Sequence, residues 1–527
     1  MPTLGLPYKR DTGPDTADAI VIGSGIGGLA TGVLLGQRLG KRVLVLERHY
    51  TAGGFTHSFH RPGYEWDVGV HYIGQVSDTS SGMGAMFHEI AGDALEWASM
   101  GDVYDTVVLG DRRYEYVAGL DRWRARMIEY FPAEVDAIDR YLAAVKAATR
   151  SSMTFWAEKA VPDLIARAAG WAMRRPFLRH ARRTTRAVLQ ELTTNQELIA
   201  VLTAQWGDYG LPPAESSFGI HAIVTRHYFG GGYYPVGGAS RIAAAILPRI
   251  EAVGGRVLVG AEVAGIVCQD GRTVGVRMAD GREFRAPMVI SDAGLSTTMR
   301  LLPPEARGRA ALDAVLARVK SSGAHLSLYV GLEQTAEQLG LPKTNYWVYP
   351  SHDFEGALAR FVNDAEAPLP VAYISFPSAK DPSFTERYPG RATIEVVTMA
   401  PYEWFARWEG ERWHRRGEEY EALKARLAAR LLDALYAQVP QVRGKVAVAE
   451  LSTPLSTRHF ANYARGEIYG LAHDPARFEA RALKPRTPVP GLWLTGQDIC
   501  SCGVGGALAG GYLTASAVAG RSLMPKG

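Results

Sequence analysis

The stretch "DAIVIGSGIGGLATGVLLGQRLGKRVLVLERH", Asp18 to His49, decides the fold. Ala19 to Ile22 is an apolar run of the kind that forms a strand buried on both faces. Gly23, Gly25 and Gly28 come next as G-x-G-x-x-G, with Ile26 and Gly27 inside the pattern. The first glycine permits a tight turn, the second lets backbone approach a pyrophosphate, and the third lets the next helix pack closely on the strand. That helix, predicted from about Gly27 to Leu39, aims its N-terminal amides at the anion. A second strand, Arg42 to Leu46, leads to Glu47, placed where an acid accepts hydrogen bonds from ribose hydroxyls. This order of elements predicts an adenine dinucleotide site.

The residues after Glu47 favour FAD over NAD. A simple NAD domain would continue with another helix and strand, whereas here "RHYTAGGFTHSF" supplies Arg48, Gly53, Gly54 and Phe55, a second place where backbone can approach an extended cofactor. The other half of the site is expected in "LWLTGQDICSCGVGGALAGG", Leu492 to Gly511. Leu492 to Thr495 reads as a strand, Gly496 as a turn and Asp498 as an acceptor for ribityl hydroxyls. Gly503, Val504 and Gly505 open a helix whose small residues let amides reach the flavin pyrimidine edge. Between the halves, Gly254 to Gly294 alternates β-rich runs with Asp-Gly and Gly-Arg turns, predicting a meander in which Val263 offers its backbone to the adenine.

The fold class is therefore α/β: a glutathione-reductase-like FAD-binding Rossmann domain with an interleaved α+β substrate domain. The cofactor domain is expected in three segments, 17–75, 231–300 and 441–527, with the substrate domain at 76–230 and 301–440. Val135, Ile138, Leu142 and Val145 share one helical face, as do Tyr420, Leu423, Leu427, Leu431 and Leu435. Both stripes read as core.

Composition narrows the class further. Of 527 residues, 47% are hydrophobic and 21% charged, as in soluble globular proteins, and a net charge of +4 gives no nucleic-acid signature. Three cysteines cannot build a disulfide framework, so a reducing, cytoplasmic setting is expected. Cys500 and Cys502 lack the C-x-x-C spacing of a redox pair and the company of a zinc set, so they read as small fillers and no metal is expected. No apolar run is long enough to span a bilayer, and the N-terminus carries no h-region of a signal peptide. Phe155 to Leu189 interleaves seven arginines with Trp156, Leu164, Ile165, Trp171 and Phe177. It is a candidate for peripheral contact with the cytoplasmic membrane face, the alternative being a solvated basic helix.

These motifs, with "EWDVGVHYIG" (65–74), "TNYWVYPSHDF" (344–354), "YISFPSAKDPSFTERYPG" (373–390) and "TPLSTRHF" (453–460), resemble the phytoene-desaturase-like FAD oxidoreductases, within them the retinol saturase and carotenoid isomerase branch. The likeness spans nearly the whole chain. It implies saturation, desaturation or isomerisation of a C=C bond in a long apolar polyene. No second Rossmann motif is present, so NAD(P)H is considered only as an external reductant. An endoplasmic-reticulum address is not carried over from the animal saturases. A flavin amine oxidase and a non-enzymatic lipid carrier of the GDP-dissociation-inhibitor type remain as alternatives. For the proton that accompanies hydride transfer the candidates are His71, Tyr72, Tyr233, Tyr234, Glu467, Tyr469 and His473.

Overall fold

In the computed structural model, which describes residues 3–525, a six-stranded parallel sheet carries the cofactor half. Ala19–Ile22 lies at its centre between Val43–Glu47 and Val289–Ser291, with Leu492–Leu494 beyond the latter and Arg256–Val259 and Leu6–Pro7 beyond the former. The central strands are buried on both faces, which explains why they read as unbroken apolar runs rather than alternating ones. The meander forms a separate antiparallel sheet of Val263–Gln269, Arg272–Met278 and Glu283–Arg285.

Helix Ile26–Leu39 crosses the C-terminal helix Gly503–Ala519 with almost no side chain between them. A Cβ on Gly511 would lie 2.8 Å from the Gly27 carbonyl oxygen, and one on Gly510 would lie 2.3 Å from that of Gly496. Thr31 locks the crossing, its hydroxyl donating to the Gly27 carbonyl (2.7 Å) and meeting the Thr495 hydroxyl at 2.9 Å. Gly505 does not face the cofactor side. Its Cβ would strike the Met83 methyl at 2.5 Å, so its smallness serves packing.

The second half is a seven-stranded sheet ordered Val446–Ser452, Ala324–Leu332, Ala392–Ala400, Ala372–Ser375, Asn345–Tyr349, Val103–Leu109, Arg112–Val117. It is antiparallel except where Asn345–Tyr349 runs parallel to Val103–Leu109. Val446–Ser452 lies in this sheet, so the substrate half extends past the boundary expected at 440. Helices Val135–Ala160 and Gly417–Gln438 bury Ile138 and Val145, and Tyr420, Leu427, Leu431 and Leu435, as their stripes predict. Val135 is exposed, while Leu142 and Leu423 are half-buried at the margins of their stripes.

Gly510→Ala should cost about 1–3 kcal/mol of stability, because the new methyl must push the Gly496 backbone aside. Denaturant unfolding checks this. Gly410→Ala, which meets nothing within 4 Å and needs no left-handed backbone, should shift the midpoint little.

Candidate active site

A cavity of about 520 Å³ runs between the two halves. Its first end is the glycine turn. Gly23, Gly25, Ile26, Gly27, Glu47, Arg48, Gly53, Gly54 and Phe55 line it, and Val263 closes it from the meander. Gly53 and Gly54 hold left-handed backbone (φ +125° and +56°), and a Cβ on Gly54 would come within 2.9 Å of the Gly25 Cα, so the two loops meet with room for backbone alone. Gly28 does not line the cavity; its Cβ would sit 2.5 Å from the Gly23 carbonyl oxygen, which is the helix-on-strand contact the third glycine permits.

Glu47 is held by the turn itself, accepting from the Ser24 amide (2.9 Å), the Ser24 hydroxyl (2.7 Å) and the His49 amide (2.7 Å). It stands on the cavity wall.

Asp292, directly after strand Val289–Ser291, is not among the residues the sequence singles out, although an acid terminating an apolar run next to the first strand is a readable signal. It fills the space under the glycines. A Cβ on Gly25 would meet its carboxylate oxygen at 2.5 Å, one on Gly27 at 2.7 Å. Burial foremost, with the charges of Glu47 and Asp498, pushes it up to about 8, against the amides of Gly28 and Gly25. At neutral pH it is therefore an uncharged acid, compatible with a pyrophosphate beside it.

The other end joins the C-terminal segment to the substrate half. Asp498, Gly503 and Val504 line it; Gly496 does not, its left-handed turn (φ +80°) instead passing over Asp292 between the lining residues Thr495 and Gln497. Asp498 accepts from the amides of Leu471 (2.9 Å) and Leu295 (2.7 Å), so it fastens three chain segments together at the cavity wall, where a ribityl hydroxyl would share its oxygens. Cys500 and Cys502 are buried thiols, both pushed up by burial. Neither lines the cavity, whose wall on the side of the substrate half is aromatic and apolar, with Trp347 and Tyr373 at 4.4 Å between ring centroids, and Val371, Val397, Met399 and Ile468. The glycine turn, the neutral acid beneath it and the continuous cavity fit an extended FAD.

Of the proton-transfer candidates, His71 and Tyr469 face the cavity. His71 Nδ1 lies 2.9 Å from the buried Glu395, and burial holds the imidazole down to about 3, so it is neutral. Tyr72 stands one hydrogen bond behind the wall, its hydroxyl 3.0 Å from Asp208. Three candidates are corrected because their side chains are buried and do not line the cavity. Tyr234 is buried with its hydroxyl on Asp67, Glu467 is buried and accepts from the Arg465 amide (2.7 Å), and His473 is wholly buried away from the cavity. Tyr233 pairs with Ser99 in a two-stranded ribbon off the cavity.

A Rossmann-type sheet, a segmented dinucleotide cavity and an apolar second half define a flavin-dependent oxidoreductase. The chain belongs to the flavin containing amine oxidoreductase family, whose model matches residues 26–519. It is 37% identical to the all-trans-retinol 13,14-reductase of Danio rerio, covering 97% of this chain and 87% of that protein. It is 27% identical to the chloroplastic prolycopene isomerase of Arabidopsis thaliana over 94% of this chain and 81% of the other. A putrescine oxidase structure shares the fold with a TM-score of 0.61 at 14% identity, covering 96% of this chain and 99% of that one.

Glu47→Ala should weaken FAD binding by the apoprotein about tenfold or more, the loss of a charged hydrogen-bond acceptor. Wild-type FAD affinity should also fall as pH rises past about 8, where Asp292 ionises against the pyrophosphate, while Asp292→Asn, which cannot ionise, should bind FAD evenly across that range. Calorimetric titration at about pH 7 and about pH 9, either side of that ionisation, reads both effects.

Proposed function

We propose that this FAD-dependent oxidoreductase saturates one C=C bond of a retinoid-like polyene. The observation that carries the proposal is the continuity of one cavity from the dinucleotide turn to the Trp347–Tyr373 wall, which offers flat apolar surface to a conjugated chain. The likeness to the retinol 13,14-reductase supports reduction, and the weaker likeness to the prolycopene isomerase supports a polyene over an amine. Bound flavin supplies hydride chemistry. The glycine turn, Glu47 and Asp498 hold the cofactor, and the apolar wall excludes water and lays the polyene flat. Electrons come from outside, with NAD(P)H as the proposed source.

Among the described residues no helix is long and apolar enough to cross a membrane. We further propose that helix Asp163–Ala181 rests on an anionic bilayer, at the cytoplasmic face. Leu164 (80% exposed), Trp171 (61%) and Ile165 (48%) project from it, beside exposed Arg175 and Arg179. The other arginines toward the end of the stretch are engaged: Arg174 is buried near Glu158, and Arg182, Arg183 and Arg186 pair with Glu479, Glu191 and Glu355. A bilayer is also where a polyene would be collected.

Anaerobically reduced holoprotein should be reoxidised by all-trans-retinol or a carotenoid, giving a product two hydrogens heavier, and should not respond to amines. An amine that reduces the oxidised flavin, with polyenes inert, would contradict the reading. Separately, the protein should sediment with phosphatidylglycerol vesicles, and Leu164→Ser with Trp171→Ser should lower the bound fraction about tenfold or more; a wild type left in the supernatant would contradict the membrane contact.

A further inference from the structure

Saturating a C=C bond needs a proton as well as a hydride, and the substrate half contributes a carboxyl group to the cavity whose role the sequence did not suggest. Asp208 ends the short helical turn Ala204–Asp208 and lines the cavity next to Gly207, where the Trp347 ring packs. It lies between the two segments that bracket the far end of the cavity. Tyr72, the residue after His71, touches it directly, and the Cys502 thiol at the start of the C-terminal helix lies close enough to couple to it electrostatically when it ionises.

The hydrogen-bond count around Tyr72 distinguishes Asp208 from its neighbour. The Tyr72 hydroxyl lies 2.9 Å from Asp105 Oδ2 and 3.0 Å from Asp208 Oδ2, yet it has one proton to give. The second contact needs a proton carried by one of the carboxyls. Asp105 already accepts from the Gln205 amide (2.7 Å) and the Asn345 amide (2.9 Å), donors suited to an ionised group. Asp208 has Tyr72 alone, so the proton resides there.

We propose that Asp208 is the general acid of the reaction, a reading that rests on the polyene reduction proposed above. Reduced flavin, held by the glycine turn, Glu47 and Asp498, would supply hydride to one carbon of the double bond. The π pair of that bond forms the new C–H bond at the neighbouring carbon with the Asp208 proton, the Asp208 O–H bond breaks, and a carboxylate remains. Tyr72 is a positioning residue: held face to face with Tyr228 (4.2 Å between centroids), it turns its hydroxyl proton from Asp105 to the new carboxylate, while Gln205 and Asn345 keep Asp105 satisfied. Burial, with Asp105 as a like charge, holds Asp208 well above the usual carboxylate range, in keeping with the proton that the hydrogen-bond count assigns to it. The charged and titratable groups packed around it are Asp105, Tyr72, Tyr209, Tyr228, Tyr349, Tyr373, Tyr469 and Cys502.

The first test uses the flavin-free protein. Its infrared spectrum at neutral pH should contain a buried protonated-carboxyl band that Asp208→Asn removes and Asp105→Asn leaves; persistence of every such band in D208N would overturn the assignment. In holoprotein, D208N should bind FAD and accept electrons from dithionite as the wild type does, while its reoxidation by all-trans-retinol slows about 10²–10⁴-fold. Tyr72→Phe, which keeps the ring stack, should shift the alkaline limb of that rate upward, since Asp208 loses the donor that stabilises its ionised form. Equal reoxidation rates in D208N and a reactive wild type would overturn the role of Asp208 alone, whereas a wild type inert to every polyene would overturn the proposed reaction itself.

Discussion

The near-contact of two backbones, at Gly27 and Gly511, is the constraint on which the rest depends. Residues almost five hundred positions apart must approach until no Cβ fits between them. Only then do the glycine turn and the start of the C-terminal helix face the same cavity. Thr31 and Thr495 fix the register of that approach by sharing a hydrogen bond, and Thr514 repeats the device by donating to the Leu494 carbonyl (2.9 Å). The strands that carry these segments are adjacent to one another only through Val289–Ser291, so the middle segment is the hinge pin of the cofactor half, and Asp292 at its tip lies where all three meet.

This arrangement separates binding from chemistry. The parallel sheet presents helix N-termini and amides to the charged middle of a dinucleotide, where a neutral Asp292 removes the repulsion that an ionised carboxylate would add. The seven-stranded sheet presents aromatic and aliphatic side chains to the reacting end, backed by a buried polar layer of Asp105, Asn345, Lys380 and Ser375. Lys380 donates to the Ser375 hydroxyl (2.8 Å) and the His71 carbonyl (2.9 Å), so the turn bearing His71 and Tyr72 is tied from behind. A polar layer beneath an apolar wall keeps the side chains that face the cavity oriented without opening it to water.

The cofactor half was legible because its signals are local: an apolar run, glycines at fixed spacing, an acid at a fixed distance. The same logic failed where position depends on partners far along the chain. Gly505 carries the same small-residue signal as Gly503, but its place around the helix turns it to Met83. Tyr234 and Tyr72 are both buried tyrosines next to turns, and only tertiary packing sends one to Asp67 and the other to Asp208. Asp208 sits in an unremarkable "WGDYG", where nothing local distinguishes it from a surface acid. The boundary at 440 was misplaced for a similar reason, since strand Val446–Ser452 is assigned by its pairing with Ala324–Leu332, over a hundred residues earlier.

One continuous cavity makes the separated segments a single site for one extended FAD. Equilibrium titration of the apoprotein with FAD, FMN and ADP tests this most directly. The expected result is one FAD per chain, bound far more tightly than either FMN or ADP, because each fragment reaches only one end. Failure to bind FAD, or ADP binding as tightly as FAD, would contradict it.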